Sequence, residues 1–479
     1  MASGKSSAGE STRPRVAIFG GGLSGIAAAV ALSGGRCKVE LFEGRRQLGG
    51  RATSFQDPQS GELVDHCQHV SMGCCTNLAE LCRRTDIAGL FRRDAALHFL
   101  DFDGRRYDIR ATRWLPAPLH LAPAFFSLRY LSLGERLAIG RTVWKLLRLR
   151  DLAAADKELV ADWLRAQKQS TRAIDQFWAV ILVSALGESL EKASLGAARK
   201  VIVDGFAGSA AAFELDTPRA PLGEVYGQRL LDWLHEREVD IHLGQAVRQI
   251  EFDSGGRLVA QFASRSEQAF DYAITALPWR QTANVFAENV AERLTWLAGL
   301  REIGSSPIAG VHLWFDRPIT NLPHAVIVGR LSQWLFSREQ PRPGAAPATS
   351  HYYQVVISAS HALAQRERQQ VIDEVHRDLV AIFPAAREAK LISARVVMEQ
   401  MAVFSARPGL EALRPPQATA VPGLFVAGDW TATGWPSTME GAVRSGFLAA
   451  EGVLRAIGSP EKVLVDDLPR SWLARWLIR

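Results

Sequence analysis

The hydrophobic pattern of the first fifty residues predicts a strand, a glycine turn, a helix and a second strand. Residues 15–19 (RVAIF) form a short apolar run, which is typical of a buried parallel strand. Residues 26–32 are apolar throughout and predict a buried helix, and residues 38–42 repeat the strand pattern. Because this order matches a βαβ unit, it predicts a dinucleotide-binding fold.

The glycines between the first strand and the helix have the spacing G-x-G-x-x-G. Gly20 permits a tight turn, Gly22 lets the backbone approach a pyrophosphate, and Gly25 allows close packing of helix and strand. Ser24 lies in the same turn, and we count it with the phosphate-binding residues. Glu43 ends the second strand 18 residues after Gly25, where a carboxylate binds ribose hydroxyls and disfavours a 2′-phosphate.

Similar strand patterns return later in the chain, separated by two long blocks. Residues 247–252, 272–277 and 423–427 look like strands, and residues 442–456 predict an amphipathic helix. The pattern therefore predicts an α/β protein, in which a discontinuous Rossmann-like domain carries an inserted α+β substrate domain. The predicted division is a disordered lead-in (1–13), the nucleotide-binding domain (14–85, 221–285 and 396–457), the substrate or membrane-facing domain (86–220 and 286–395), and an amphipathic tail (458–479).

The composition restricts the class of protein and the cellular location that we expect for this fold. Of the 479 residues, 47% are hydrophobic and 22% are charged, which is ordinary for a globular protein. The apolar runs fall far short of the roughly 20 residues that span a bilayer. The first twelve residues lack the apolar core of a signal peptide, so we expect a cytoplasmic protein. The net charge of +6 comes without a nucleic-acid-binding motif, so no nucleic-acid partner is expected.

Aromatic and basic residues are interleaved in residues 113–150 and again in residues 470–479. In the second segment Trp472, Leu473, Trp476 and Leu477 have helical spacing, with three arginines among them. Such segments fit a surface that dips into lipid headgroups, which would hold the protein on the inner face of the cytoplasmic membrane. A packed helix with a solvated cationic face fits the same pattern, and both interpretations stay open.

The cysteines do not indicate a disulfide framework or a metal site. Their number is odd, and four of the five lie within sixteen residues. Cys74 and Cys75 are adjacent, which is not a zinc-ligand spacing. We therefore expect reduced, packed cysteines and no bound metal.

Two further segments resemble a known class of flavoproteins. Gly49, Gly50 and Arg51 follow Glu43 in the pattern E-x(5)-G-G-R-x-x-S, which is similar to glutathione-reductase-type flavoproteins. Within that class the pattern resembles the amine oxidase and phytoene desaturase superfamily. Residues 423–429 (GLFVAGD) resemble the second signature of that superfamily. The resemblance implies an FAD cofactor, with Arg51 helping to neutralise its pyrophosphate.

The same resemblance implies further flavin contacts. Gly428 and Asp429 match the pair whose aspartate bonds the ribityl chain of FAD. Thr438 and Met439 begin a helix whose amides would face the flavin pyrimidine, where reduction places negative charge. Val247 matches a segment that covers the adenine, although a valine in a core strand fits the pattern equally well.

Asp65 and His69 are the candidates for acid–base chemistry. They lie in the segment LVDHCQHV, where superfamily members carry a glycine-containing turn against the flavin. Either side chain is a candidate general acid beside the ring. The alternative is structural, with Asp65 capping a turn and His69 hydrogen-bonded in the core.

Residues 65–78 resemble one family of the superfamily in particular. The sequence DHCQHV, followed by GCCTNL, is similar to the D-N-C-Q-H-V and G-C-C-T-N motifs of hydroxysqualene dehydroxylases. His66 departs from the asparagine of that motif. The resemblance runs over most of residues 14–456 and implies a C30 isoprenoid substrate. It implies reductive dehydroxylation of hydroxysqualene to squalene in hopanoid biosynthesis.

Three other functions are compatible with the same fold. A carotenoid-type desaturase would run the flavin oxidatively on a similar polyene. An amine oxidase usually places a lysine beside the flavin, whereas this chain has no lysine between Lys200 and Lys390. A lipid carrier without flavin is disfavoured because Glu43, Arg51 and Asp429 are present. No second G-x-G-x-x-G is found, so the electron donor is external and unidentified.

Overall fold

The centre of the protein is a five-stranded parallel sheet. The structure is a computed structural model that describes residues 13–58, 61–338 and 350–479. The predicted lead-in therefore lies outside the described residues, apart from Arg13. Because every neighbouring pair of strands is parallel, the predicted dinucleotide-binding fold is confirmed. In spatial order the strands are Asp240–Leu243, Lys38–Glu43, Arg15–Phe19, Tyr272–Thr275 and Leu424–Val426.

Two helices cover one face of this sheet. Leu23–Leu32 begins directly after the glycine turn and is almost fully buried, and Met439–Ala456 packs along it. Small residues permit this close packing, since a Cβ on Gly446 would overlap the backbone of the first helix. A Cβ on Gly25 would overlap the Gly20 carbonyl oxygen.

Aromatic side chains fill the other face of the parallel sheet. Phe19 and Phe42 project from the two central strands, with ring centroids 5.7 Å apart. Phe262 and Phe270 meet them from a three-stranded antiparallel sheet, and all four are buried. The strands of this second sheet are Val247–Phe252, Leu258–Phe262 and Glu267–Phe270.

A seven-stranded mixed sheet draws strands from both of the predicted inserted blocks. The helix Arg368–Ile382 packs on one face of it. The strand Leu391–Phe404 runs without a break through residue 395, where the sequence analysis placed a domain boundary. In spatial order the strands are Leu391–Phe404, Ser305–Phe315, His351–Ile357, Trp334–Ser337, His324–Ile327, Ala96–Leu100 and Arg106–Arg110.

Helices of the first block form a second core against this sheet. Trp178, Leu182 and Phe213 are among its fully buried side chains. Across residues 13–58, 61–338 and 350–479, no helix has the length and hydrophobicity needed to cross a bilayer. The helices of this region are Ala122–Phe126, Leu133–Leu147, Leu152–Asp156, Val160–Ala166, Thr171–Ala173, Ala179–Leu186 and Leu195–Ile202, with π-helical turns at Ile174–Trp178 and Val203–Ala207, whereas Thr76–Arg84 packs on the core of the parallel sheet.

Short elements complete the fold. Ser54–Gln56 pairs with Leu63–Asp65, and Leu215–Pro218 pairs with both Ser71–Met72 and Phe91–Asp94. The other helical segments are Ala88–Leu90, Leu119–Leu121, Gly223–Gln228, Arg229–His235, Trp279–Val285, Glu288–Ala291, Leu297–Leu300, Ser360–Leu363, Pro384–Arg387, Leu410–Leu413 and Trp472–Leu477.

Candidate active site

A cavity of about 950 Å³ extends from the glycine turn to the seven-stranded sheet. It lies at the carboxyl ends of the parallel strands, where ligands bind in open α/β sheets. Gly25 lies outside its lining, because it packs against the turn beneath. The predicted flavin contacts that line the cavity are Gly20, Gly22, Ser24, Glu43, Gly49, Gly50, Arg51, Val247, Gly428, Asp429, Thr438 and Met439.

Two glycine segments lie side by side at one end of the cavity. The amide of Gly49 donates to the carbonyl oxygen of Gly21 over 2.9 Å. A Cβ on Gly50 would lie 2.9 Å from the Cα of Gly22, and Gly50 has a φ of +61°. Glycine at these positions therefore leaves bare backbone facing the cavity, which a phosphate group can approach closely.

The two glycine segments form what we call the flavin cradle. The Glu43 carboxylate is fixed at its edge. Its Oε2 accepts a hydrogen bond from the Gly21 amide over 2.7 Å. Its Oε1 accepts from the Arg45 amide, also over 2.7 Å. The structure thus brings the predicted ribose-binding acid to the glycine turn and orients it with two backbone donors.

Arg51 and Asp429 meet in the wall of the cavity. Nη2 of Arg51 lies 2.6 Å from Oδ1 of Asp429, and its Nη1 donates to the Ala402 carbonyl oxygen over 2.8 Å. Oδ2 of Asp429 accepts a hydrogen bond from the Ser437 hydroxyl. Asp429 is buried, whereas 35% of the Arg51 side chain is exposed.

The N-terminus of the helix Met439–Ala456 faces the same cavity. Thr438 caps this helix, since its Oγ1 accepts from the Gly441 amide over 3.1 Å. The Gly428 amide donates to Ser445 Oγ over 2.8 Å, which ties the Gly-Asp turn to the helix. The positive end of the helix dipole therefore points toward the space between Arg51 and Thr438.

His69 lines the cavity in a neutral state. Its Nδ1 lies 2.8 Å from the Cys67 carbonyl oxygen, and because a carbonyl only accepts, Nδ1 carries the proton. Burial lowers the pKa of His69, and the nearby Arg51 and His66 lower it further. Nε2 is therefore an acceptor, which fits a hydrogen-bonding group better than the general acid that the sequence suggested.

Asp65 does not line the cavity. Its Oδ1 accepts from Ser54 Oγ over 2.6 Å and from the Leu222 amide over 2.8 Å. Burial raises the pKa of the Asp65 carboxyl to about 6, and the Ser54 hydrogen bond opposes this rise. The geometry supports the alternative interpretation, in which Asp65 fastens a turn, and it does not favour Asp65 as an acid beside the flavin.

Sequence reasoning missed an ion pair inside the cavity. Nζ of Lys200 lies 2.7 Å from Oδ2 of Asp204, one helical turn away, and both residues line the cavity. Nζ of Lys200 also lies 4.6 Å from the ring centroid of Trp435. The available signal was two opposite charges within the apolar run KVIVDGF, but such i,i+4 pairs are common on solvated helix faces.

The far part of the cavity is predominantly apolar. Strands of the seven-stranded sheet and helices of the first block supply this wall. The indole of Trp334 donates from Nε1 to Ser184 Oγ over 2.9 Å, so its polar atom is satisfied. The apolar residues of the wall are Leu97, Phe99, Val180, Ile181, Val201, Phe206, Leu215, Ile308, Val326, Phe336 and Val356.

The sequence model of the family described as flavin containing amine oxidoreductase matches residues 23–454 of this chain. The chain belongs to this family. The match begins just after the glycine turn and includes most of the cavity-lining residues, up to those at the start of the helix Met439–Ala456.

Among curated proteins, hydroxysqualene dehydroxylases and carotenoid desaturases are similar to this chain over most of its length. A hydroxysqualene dehydroxylase of Rhodopseudomonas palustris is 27% identical, covering 92% of this chain and 98% of its own. One from Zymomonas mobilis is 25% identical, with 91% and 97% coverage. A probable zeta-carotene desaturase of Synechococcus elongatus is 24% identical, with 92% and 99% coverage. The resemblance to hydroxysqualene dehydroxylases is thus confirmed.

Solved flavoenzyme structures share the fold. A triple mutant of putrescine oxidase superposes with a TM-score of 0.70 at 15% identity, covering 92% of this chain and 99% of its own. Cyclohexylamine oxidase from Brevibacterium oxydans has a TM-score of 0.67 at 20% identity, with 93% and 100% coverage. At these identities the likeness concerns the architecture alone.

As a flavin containing amine oxidoreductase, this chain is an FAD-dependent oxidoreductase, and its residues fit the cofactor. The cradle beside Gly22 and Gly50 has bare backbone for a pyrophosphate. Glu43 offers a carboxylate for a ribose, and Arg51 offers a cation. Bound FAD would supply hydride transfer to or from a substrate in the rest of the cavity.

Proposed function

We propose that this flavoprotein removes the hydroxyl group of hydroxysqualene reductively and releases squalene, as a step of hopanoid biosynthesis. The observation that carries the proposal is the cavity itself, which continues from the flavin cradle into a long apolar wall. A C30 hydrocarbon chain is the kind of ligand that such a wall binds. The similarity to proteins named hydroxysqualene dehydroxylase supports the same substrate class.

The apolar wall also suits the chemistry. An allylic hydroxyl leaves readily once protonated, because the remaining cation is delocalised. Water would capture such a cation, so a site that excludes water protects it. Phe99, Val326 and Phe336 contribute apolar surface to the lining, and the neutral His69 adds no charge near the cation.

A desaturase acting on a related polyene is the second candidate. Relatives named zeta-carotene desaturase and 15-cis-phytoene desaturase are 23–25% identical to this chain, and they favour it. The same apolar cavity would accept a polyene, with hydride passing from the substrate to oxidised flavin. The two candidates therefore differ in the direction of hydride transfer, and an experiment on that direction separates them.

An anaerobic single-turnover experiment makes this separation. The flavin of the purified protein is reduced by light, and hydroxysqualene is added in detergent. We expect the oxidised flavin absorbance to return, with squalene formed in equal amount. A flavin that stays reduced and yields no squalene would contradict the proposal. Polyenes offered to the oxidised enzyme would then test the desaturase.

Rapid, saturable flavin reduction by NADPH alone would reveal a nicotinamide site and contradict an electron donor of another kind.

We also propose that the protein lies peripherally on the inner face of the cytoplasmic membrane, from which a lipid substrate is drawn. Trp114, Trp472 and Trp476 are respectively 79%, 67% and 72% exposed. Trp114 and Trp472 line the same small surface cavity, so the two aromatic segments adjoin. Exposed arginines accompany them, and indole rings beside cations suit the headgroup region of anionic lipid.

A further inference from the structure

The Lys200–Asp204 pair links the end of the helix Leu195–Ile202 to the turn that follows it. Asp204 belongs to the π-helical turn Val203–Ala207, and such turns recur at functional sites. Two residues of that turn pack on Ala474 and Ile478 of the C-terminal segment. Because this contact fixes the turn from outside, Lys200 and Asp204 are presented to the cavity on the other side.

The ammonium group of Lys200 lies between the flavin cradle and the apolar wall of the cavity. Lys200 packs over Trp435, which lies two residues before Ser437, and the Ser437 hydroxyl donates to Asp429 in the cradle. Val201 and Phe206 line the cavity beside the ion pair and belong to the apolar wall. A group at this junction can reach the reacting carbon of a substrate whose chain occupies the wall.

Four arginines and one glutamate among the other charged residues of the cavity lining suit this role less well. Arg45, Arg51, Arg248 and Arg280 stand on segments that flank the parallel sheet. Glu399 lines the cavity from the strand Leu391–Phe404, and its Oε1 accepts from the Met401 amide over 3.2 Å. An ionised carboxylate only accepts hydrogen bonds, whereas an ammonium group donates them.

We propose that Lys200, positioned by Asp204, binds the hydroxyl of the isoprenoid alcohol and donates the proton with which it leaves. The inference rests on the proposed dehydroxylation. The C–O bond breaks, and the hydroxyl departs as water with the proton of the ammonium group. The allylic carbon receives the hydride that reduced FAD supplies, and Lys200 regains a proton from water. In sum, alcohol, reduced flavin anion and one proton give hydrocarbon, water and oxidised flavin. Asp204 provides the counter-charge that an ammonium group needs in an apolar cavity.

Two substitutions of Lys200 separate binding from chemistry. Lys200→Met removes the donor, so the preference of the oxidised holoenzyme for hydroxysqualene over squalene should fall about tenfold. Lys200→Arg keeps a charged donor and should keep that preference, but guanidinium does not release its proton. Both variants should lower the single-turnover rate of flavin re-oxidation by about 100-fold. Lys462→Met breaks an i,i+4 ion pair of the same 2.7 Å length, with Asp466 on the exposed tail outside the cavity, and should retain the preference and the rate.

The readouts are equilibrium binding in detergent, flavin re-oxidation, extracted squalene and flavin content. Flavin content at the wild-type level shows that a variant is folded, and if Lys200→Met fails this check, Lys200→Arg decides. If the wild-type protein forms squalene and Lys200→Met keeps the wild-type preference and rate, the role of Lys200 is overturned. The proposed function would then still stand. Absence of squalene formation by the wild-type protein would overturn the proposed function, and this inference with it.

Discussion

Nη2 of Arg51 lies 2.6 Å from Oδ1 of Asp429, a residue 378 positions later in the chain. Arg51 follows the strand Lys38–Glu43 and Asp429 follows Leu424–Val426, and two strands lie between them in the sheet. Because all these strands are parallel, the segments after them leave the sheet at the same edge. The ion pair joins the segment that follows Gly49 and Gly50 to the turn that precedes the helix Met439–Ala456. Both segments line the cavity.

Asp429→Asn should weaken FAD binding while leaving the fold intact. The change removes the negative partner of Arg51 and one charged acceptor of the Ser437 hydroxyl. Because hydrogen bonds to charged groups contribute about 1.5–3 kcal/mol, we expect the FAD dissociation constant to rise at least about tenfold. Flavin released on dialysis measures this change. Asp466→Asn, on the exposed tail, is the control, and equal flavin retention in both variants would contradict the expectation.

Glu43→Ala should also lower FAD retention. The substitution removes the proposed acceptor for the ribose hydroxyls, together with the hydrogen bond to the Gly21 amide. We expect an affinity loss of about tenfold with an unchanged circular dichroism spectrum. Glu236→Ala, at a solvent-exposed position, should retain the cofactor. Full flavin content in purified Glu43→Ala would show that the ribose site is assigned wrongly.

Asp65 should make the stability of the protein depend on pH. Burial raises the pKa of its carboxyl from 3.8 to about 6. The folded state therefore holds this proton more tightly than the unfolded chain does. The free energy of unfolding should fall as the pH rises from about 4 to about 6, and should be level above that range. The full effect is on the order of 3 kcal/mol.

Asp65→Asn tests this expectation. The amide oxygen can still accept from Ser54 and from the Leu222 amide, but the side chain no longer ionises. Urea unfolding at several pH values should show the variant to be more stable than the wild-type protein above pH 6, by on the order of 1–3 kcal/mol. Asp162→Asn, at an exposed position, should follow the wild-type profile. An unchanged profile in Asp65→Asn, or loss of turnover, would refute the structural role.

Trp472→Ala with Trp476→Ala should weaken membrane binding. Both indoles are exposed and adjoin basic residues, so we expect several-fold less protein on vesicles of phosphatidylcholine mixed with phosphatidylglycerol. Sedimentation with the vesicles measures this, and added salt should lower binding of the wild-type protein. Ile392→Ala removes an exposed apolar side chain from the seven-stranded sheet and should have no effect. Wild-type binding by the double variant would exclude the tail as an anchor.

Much of the flavin cradle could be predicted from the sequence because its residues form local motifs. The glycine turn, Glu43 and residues 49–51 lie within about forty positions of one another, and strand and helix patterns surround them. Asp429 is predictable for a similar reason, since it follows the short buried strand Leu424–Val426 by three residues. Each of these motifs serves the same contact in many proteins, so its spacing carries information about the ligand.

The rest of the site depends on contacts that spacing does not encode. Lys200 and Asp204 have the i,i+4 spacing of a surface ion pair, and only the packing of their turn on the C-terminal segment directs them inward. Asp65 was placed beside the flavin by analogy, but its carboxylate accepts from Leu222, 157 positions later. In both cases the partner is distant in sequence, and its identity follows from the assembled fold.

The strand Leu391–Phe404 has a mechanical consequence. It pairs with Ser305–Phe315 along its length at the edge of the seven-stranded sheet, and its last residues supply the Ala402 carbonyl to Arg51 and the Phe404 amide to Ser437. This single strand therefore belongs to the seven-stranded sheet and also contacts the flavin cradle. Opening the cleft by a hinge would break these hydrogen bonds or bend the strand. We therefore expect a long substrate to enter the cavity end-on, while the distance between the parallel sheet and the seven-stranded sheet stays the same.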